Sequence, residues 1–164
     1  LASFQDRVAL NIEAINKSLR NIPPERVRLH VCWGNYEGPH HHDVPLEDIL
    51  PYLYDANVGA LSLEMANPRH AHEYRVFEKF PLPDSMMLVV GVIDTKTKYV
   101  EHPQVVADRI LRVAQVLGGK SRVIAGTDCG FDTSAGAGRV DRGLVWAKLK
   151  SLSEGAQIAT CSSS

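Results

Sequence analysis

Apolar positions along this chain follow two periods that alternate. Val8, Ile12, Ile15 and Leu19 fall at helical spacing, which predicts a helix over 2–20 that stops before Pro23-Pro24. The run from Arg26 to Trp33 (RVRLHVCW) is dense in β-formers and predicts a strand. A loop over 34–43 leads into a helix over 45–56, with proline in its first turn and Glu47 and Asp48 near its positive end. A second strand is expected over 59–65 (GALSLEM), broken by Asn67-Pro68-Arg69, then a helix over 71–77. Met86 to Ile93 (MMLVVGVI) is continuously apolar, as a strand buried on both faces should be. Pro103 opens a helix that reaches Leu117 and ends at Gly118-Gly119. A fourth strand is expected over 122–127, then a glycine-rich loop and a last helix over 141–154.

One helix followed by four strand–helix units implies a parallel sheet with right-handed crossovers. Four such units make half of an eight-unit (β/α)8 barrel, or else a small doubly wound sheet. The expected fold is α/β, the C-terminal half of a TIM barrel, as a single domain over 1–160 with a disordered tail, Cys161 to Ser164. The chain opens on Leu1 directly into a helix, as the later part of a longer polypeptide or a chain freed of its leader would.

Composition narrows the class. Hydrophobic residues make up 45% and charged residues 23%, as in a globular domain. Eighteen basic residues against nineteen acidic ones leave a formal charge of -1, which gives no footprint for nucleic acid or for a polybasic membrane anchor. No apolar run approaches the roughly 18–20 residues that span a bilayer. Three cysteines, an odd count, argue against a disulfide framework and for cytoplasmic thiols or metal ligands.

Four of the candidate donors lie at or just past expected strand ends: His30 and Cys32 on the first strand, Glu64 on the second and Cys129 after the fourth. In a barrel of alternating strands and helices that edge carries the chemistry. His30 and Cys32 are two apart, so their side chains share a face. Zinc takes imidazole nitrogen, thiolate and carboxylate, and donors from three separate strand ends suit a catalytic site better than a structural knuckle. The plainer alternatives are cysteines buried as small hydrophobes and Glu64 paired with Arg69 or another base.

His30-Val31-Cys32, Leu61-Ser62-Leu63-Glu64, Gly91-Val92-Ile93-Asp94 with Val100-Glu101, and Asp128-Cys129-Gly130 together resemble the C-terminal half of the catalytic barrel of the cobalamin-independent methionine synthase family. The resemblance covers nearly the whole chain. It implies zinc as cofactor, with His30, Cys32, Glu64 and Cys129 as its ligands. It also implies a small-molecule thiol and an alkyl donor as partners: the thiol loses its proton at zinc and attacks a methylated folate in the synthases, or an epoxide in the epoxyalkane:coenzyme M transferases. Glu64, the hard oxygen donor, is the ligand a thiol would displace. The synthases carry a histidine in an Asp-x-His run after the third strand, and here the run is Asp94-Thr95-Lys96. Trp33 to His40 also departs from the synthases' sequence after His-x-Cys. Both departures fit better with the shorter, single-barrel relatives, which include the epoxide-opening transferases. The absent first half would supply most of the amino-acid-recognising carboxylates, so a missing barrel half or a homo-oligomer is the expected macromolecular partner.

Asp94, Lys96 and His40 are the further catalytic candidates. Lys96 and His40 are possible proton donors, and Asp94 is a possible orienter of a ligand histidine or a simple turn cap. Within His40-His41-His42, a solvated loop is the plainer reading. Arg69, Asn67 and Trp33 are candidate substrate contacts, Arg69 as an anion clamp or an ion pair with Glu64 or Glu73, Trp33 as a wall or a packing residue. Asp128 is a possible hydrogen-bond partner of a ligand histidine. The runs 126–130 and 135–138 are glycine-rich without the Lys-Ser/Thr ending of a phosphate loop, and read as tight turns. Trp146 is expected to pack, and Cys161 to be an exposed thiol.

Overall fold

A computed structural model describes residues 2–132 and 140–162. Its elements are α1 (Ala2–Leu19), β1 (Arg28–Val31), α2 (Leu46–Leu53), β2 (Ala60–Leu63), α3 (Val76–Lys79), β3 (Met87–Ile93), α4 (Pro103–Val116), β4 (Val123–Thr127) and α5 (Arg142–Cys161), with single 3-10 turns before β1, α3 and β4. The sheet runs β1-β2-β3-β4, and every neighbouring pair is parallel. A doubly wound sheet reverses its strand order at a switch point. This one does not, so the chain has the ordering of half a (β/α)8 barrel.

Register divides the sheet into two faces. Leu29, Leu61, Leu88 and Val123 align across the strands and point toward the helices, where Leu61 and Leu88 are fully buried with Val90, Val106 and Ile110. His30, Ser62, Val89 and Ile124 align on the opposite face, the one a closed barrel turns inward. On edge strand β1, Arg28 and His30 are exposed.

Local chemistry sets the boundaries. Pro103 starts α4, the His102 ring accepts the Gln104 N–H, and Gly118, at φ +77°, takes the left-handed turn that ends it. The Asp141 carboxylate accepts the Leu144 N–H at the start of α5.

Three expectations change. The helix over 71–77 is reduced to a 3-10 turn (Glu73–Arg75) and the four residues of α3. The reason lies in Asn67, whose side-chain oxygen accepts the N–H groups of Arg69 and His70 and holds that stretch in a turn. Helix α5 does not stop at Glu154: Gly155 sits where a Cβ would come 2.5 Å from Val106, so this glycine is an α4–α5 contact point and not a helix end. The helix therefore runs through Cys161, and Ser162 closes it with a bond from its N–H to the Ile158 carbonyl, which takes half of the expected tail into ordered structure. Ser163, Ser164 and the 135–138 run lie outside the described residues. No helix among the described residues is long and apolar enough to cross a membrane.

Candidate metal centre

The carboxyl ends of β1, β2 and β4 bring the four donors toward one place. Ligand atoms of His30, Cys32 and Cys129 all lie within 4.8 Å of one another. His30 and Cys32 are exposed at the sheet edge, while Cys129 is buried. The Cys129 Sγ is 3.6 Å from the His30 Nε2 and donates to the Glu64 Oε1 at 3.3 Å, so the carboxylate joins the trio through that thiol. The His30 Nδ1 faces the Ser62 hydroxyl at 3.3 Å, which leaves the Nε2 directed at the cluster.

Glu64 is 1% exposed and held from three sides. The Trp33 N–H reaches its Oε1 at 3.4 Å. The Asn67 amide (2.8 Å) and the Lys96 ammonium (3.1 Å) donate to its Oε2. The base that pairs with Glu64 is thus Lys96 and not Arg69. Burial lowers the Lys96 pKa, but the attraction of Glu64 more than offsets this, and the net shift is upward, toward the charged form. Burial raises the Cys129 pKa, with Glu64 and then Cys32 adding to the rise, so this thiol keeps its proton unless a cation joins the cluster.

That arrangement fits zinc by its donor set. One imidazole and two thiols converge on one place, a carboxylate touches one of the thiols, and among the described residues the only cation in direct contact with that carboxylate is a single lysine. His30, Cys32 and Cys129 would hold the ion, with Glu64 adjoining.

The other candidates fall into two groups. Asp94 is buried at the end of β3, its Oδ1 accepting the Lys96 N–H at 2.8 Å, so it caps the turn that carries Lys96. Asn67 spends its amide on Glu64 and Asp128. Trp33 stacks on His70 at 4.1 Å and donates its indole N–H to the Val44 carbonyl. These residues build the surround of the site.

His40 departs from expectation. It is buried at φ +51°, with one ring nitrogen bonded to Asp43 (2.8 Å) and the other to the Tyr36 carbonyl (3.1 Å). Both nitrogens are engaged, so its geometry is that of a loop anchor and not of a free acid, while His41 and His42 stay exposed. Arg69 is exposed, its guanidinium donating to the His41 carbonyl at 3.5 Å, and Glu73 bonds to His70 instead. Asp128 does not reach a ligand histidine: it accepts the N–H groups of Met65, Ala66 and Asn67 and the Asn67 amide. Trp146 does not pack and is 71% exposed. Cys161 is an exposed free thiol.

Sequence reasoning missed two features. Lys148, on α5, is fully buried and pairs with Glu101 at 2.9 Å. Its signal was a stripe at helical spacing, Lys148, Ser151, Gly155 and Ala159, which is the buried face of α5. The second is a cavity of about 650 Å³ beside Lys96, walled by Tyr36, Thr95, Lys98, Phe131 and Leu144 among others. Its walls come from loops far apart in sequence and from the first turn of α5, which no local pattern joins.

No family model matches the chain. It is 28% identical to 2-hydroxypropyl-CoM lyase of Xanthobacter autotrophicus, over 90% of this chain and 44% of that protein. It is also 28% identical to a methionine synthase of Thermococcus kodakarensis, over 96% of this chain and 40% of that one. A methionine synthase of Sulfurisphaera tokodaii is 27% identical over 95% of this chain. The chain spans about two fifths of the length of these curated relatives. In structure it is similar to the B12-independent methionine synthase of Shewanella sp. W3-18-1, with a TM-score of 0.71 over 91% of this chain and 42% of that one, at 23% identity. The likeness to the cobalamin-independent methionine synthase family, and the half-barrel fold it implied, are borne out.

Proposed function

For a chain whose relatives are methionine synthases and a 2-hydroxypropyl-CoM lyase, we propose a part in zinc-dependent alkyl transfer to a small-molecule thiol. The observation that carries the reading is the convergence of His30, Cys32 and Cys129 within 4.8 Å, with Glu64 in contact through Cys129. Zinc supplies Lewis acidity that lets a thiol lose its proton near neutral pH. The chain's own residues orient that centre. Ser62 steadies the His30 ring, and the Trp33 N–H, Asn67 and Lys96 hold the Glu64 carboxylate. The thiol sulfur then attacks the donor's carbon, the bond from that carbon to its leaving atom breaks, and the leaving atom takes up a proton. Lys96, an ammonium at the edge of the large cavity, is the donor of that proton in this reading. Trp33 walls the site, and exposed Arg69 offers a cation to an anionic substrate group.

A second reading, the epoxide-opening form, draws on one specific feature. The synthases carry a histidine where this chain has Lys96, and an alkoxide freed from an epoxide is basic enough to take a proton from an ammonium. The span of about two fifths of the relatives' length supports a further part of this reading: the other half of the barrel, from the same polypeptide or a second copy, closes over the inner sheet face. Balanced charge supports small molecules, and not nucleic acid, as substrates.

Proton release tests the proposal. The zinc-loaded protein is mixed in weak buffer at pH 7 with coenzyme M, or with homocysteine, the thiol whose methylation gives methionine. About one proton per bound thiol should be released. Release with neither thiol would overturn the proposal, and release with coenzyme M alone would select the second reading.

A further inference from the structure

Lys148 has no part in the chemistry above, yet like Asp128 it is fully buried, at 0% exposure. It lies on α5, seven residues before Gly155, where α5 packs on α4 so closely that a Cβ would meet Val106 at 2.5 Å. Its ammonium therefore stands on a firm base. The three hydrogens find three acceptors: the Asp94 carbonyl (2.9 Å), the Glu101 Oε2 (2.9 Å) and the Thr97 hydroxyl (3.4 Å). All three belong to the segment between β3 and α4.

The contacts continue in one direction. The other oxygen of Glu101 accepts the Asp94 N–H at 2.9 Å. The Asp94 carboxylate accepts the Lys96 N–H at 2.8 Å. The Lys96 ammonium then reaches the Glu64 Oε2 at 3.1 Å. Ser151, three residues after Lys148 and on the same helix face, donates to the Glu101 carbonyl and ties the far end of the segment to α5. A buried ion pair is a poor way to gain stability, because apolar residues of similar size usually serve as well or better. Here the pair is joined to a backbone carbonyl and a backbone N–H that set the path of a loop.

We propose that Lys148 is a positioning residue: through Glu101 and Asp94 it fixes the 94–101 loop so that Lys96 stays against Glu64. The inference rests on the reading of Glu64 as part of the metal centre. Held there, the Lys96 ammonium competes with a divalent cation for the Glu64 carboxylate and repels it. Lys148 thereby sets how tightly the centre takes metal without touching it.

A double-mutant cycle in cobalt(II) affinity tests this. Lys96→Met should tighten cobalt binding by about tenfold, because a positive charge beside the centre is removed. Lys148→Met should tighten it by about the same factor, and the double variant should bind no more tightly than either single one, since both changes remove one interaction. A metal-free readout runs beside it. Acylation of the Lys96 amine, followed by peptide mass spectrometry against exposed Lys150, should become several-fold faster in Lys148→Met. If Lys148→Met does not fold because Glu101 is left buried and unpaired, Lys148→Met/Glu101→Gln removes both charges and carries the same expectations. Unchanged cobalt affinity with unchanged Lys96 acylation, or additive effects in the cycle, would overturn the proposal. Faster acylation in a protein that binds no cobalt at all would uphold the role of Lys148 and contradict the metal reading instead.

Discussion

Asp128 and Cys129 are neighbours in the chain, both buried, and their surroundings differ in kind. Asp128 sits in a cage: three backbone N–H groups and the Asn67 amide donate to its two oxygens. Gly91 makes room for it, since a Cβ there would fall 2.1 Å from its Oδ1. Burial still lifts its pKa, and the four N–H bonds pull the other way. Around the Cys129 thiol stand a carboxylate, an imidazole and a second thiol, and the two acidic neighbours make its own ionisation harder. One site is satisfied by its own hydrogen bonds, and the other, in the reading proposed above, is completed by a cation. Reading a buried polar group for structure or for chemistry turns on that difference.

Substitutions should separate the two regions. The largest effect on stability is expected at the cage. Asp128→Ala leaves the Met65, Ala66 and Asn67 N–H groups buried without acceptors and should cost about 3–5 kcal/mol in chemical denaturation. A loss below ~1 kcal/mol would mean that the cage is not structural. Cys129→Ser should reverse the pattern, with metal affinity falling by more than about 100-fold and stability changing by less than ~1 kcal/mol, as competition with a chromophoric chelator and a melt would show. Cys32→Ser should behave alike, because it supplies the same kind of donor to the same centre.

A third region adds a pH signature. Burial lowers the His70 pKa, but its bonds to Glu73 and Asp43 outweigh that and leave it raised. A histidine with a raised folded-state pKa stabilises fully below its unfolded value, near 6.5, and that contribution is lost as pH rises through the folded value. The denaturation midpoint should therefore fall as pH climbs above the ordinary histidine range, and His70→Gln should flatten the slope. A slope that survives the substitution would assign the titration elsewhere. The smallest effect is expected at Cys161→Ser, an exposed thiol at the end of α5, which should leave metal content and stability unchanged.

The comparison also shows what could be read before any coordinates. Period and punctuation located every strand, because each apolar run was bounded by proline, glycine or a polar turn. The segment before α3 departs from its helical periodicity because Asn67 bends it through a side-chain bond that the spacing does not register. Helix α5 outruns its expected end because Gly155, which resembles a stop in sequence, is where the helix packs against Val106. At the site, His30, Cys32, Glu64 and Cys129 were legible as chemically unusual residues at strand ends. The pairing of Glu64 with Lys96 and the cage of Asp128 were not, since each depends on segments brought together from far along the chain: residue 96 for Glu64, and residues 65–67 for Asp128. A histidine in a run of three reads as solvated, and His40 is buried where the loop turns through a left-handed residue, its ring bonded to Asp43 and the Tyr36 carbonyl.

The most direct test of the metal centre is titration of the metal-free protein with cobalt(II), followed by absorption. Saturation at one equivalent per chain is expected, with a thiolate-to-cobalt band that is lost in Cys32→Ser and in Cys129→Ser. No binding, or a band that persists in both variants, would contradict the account.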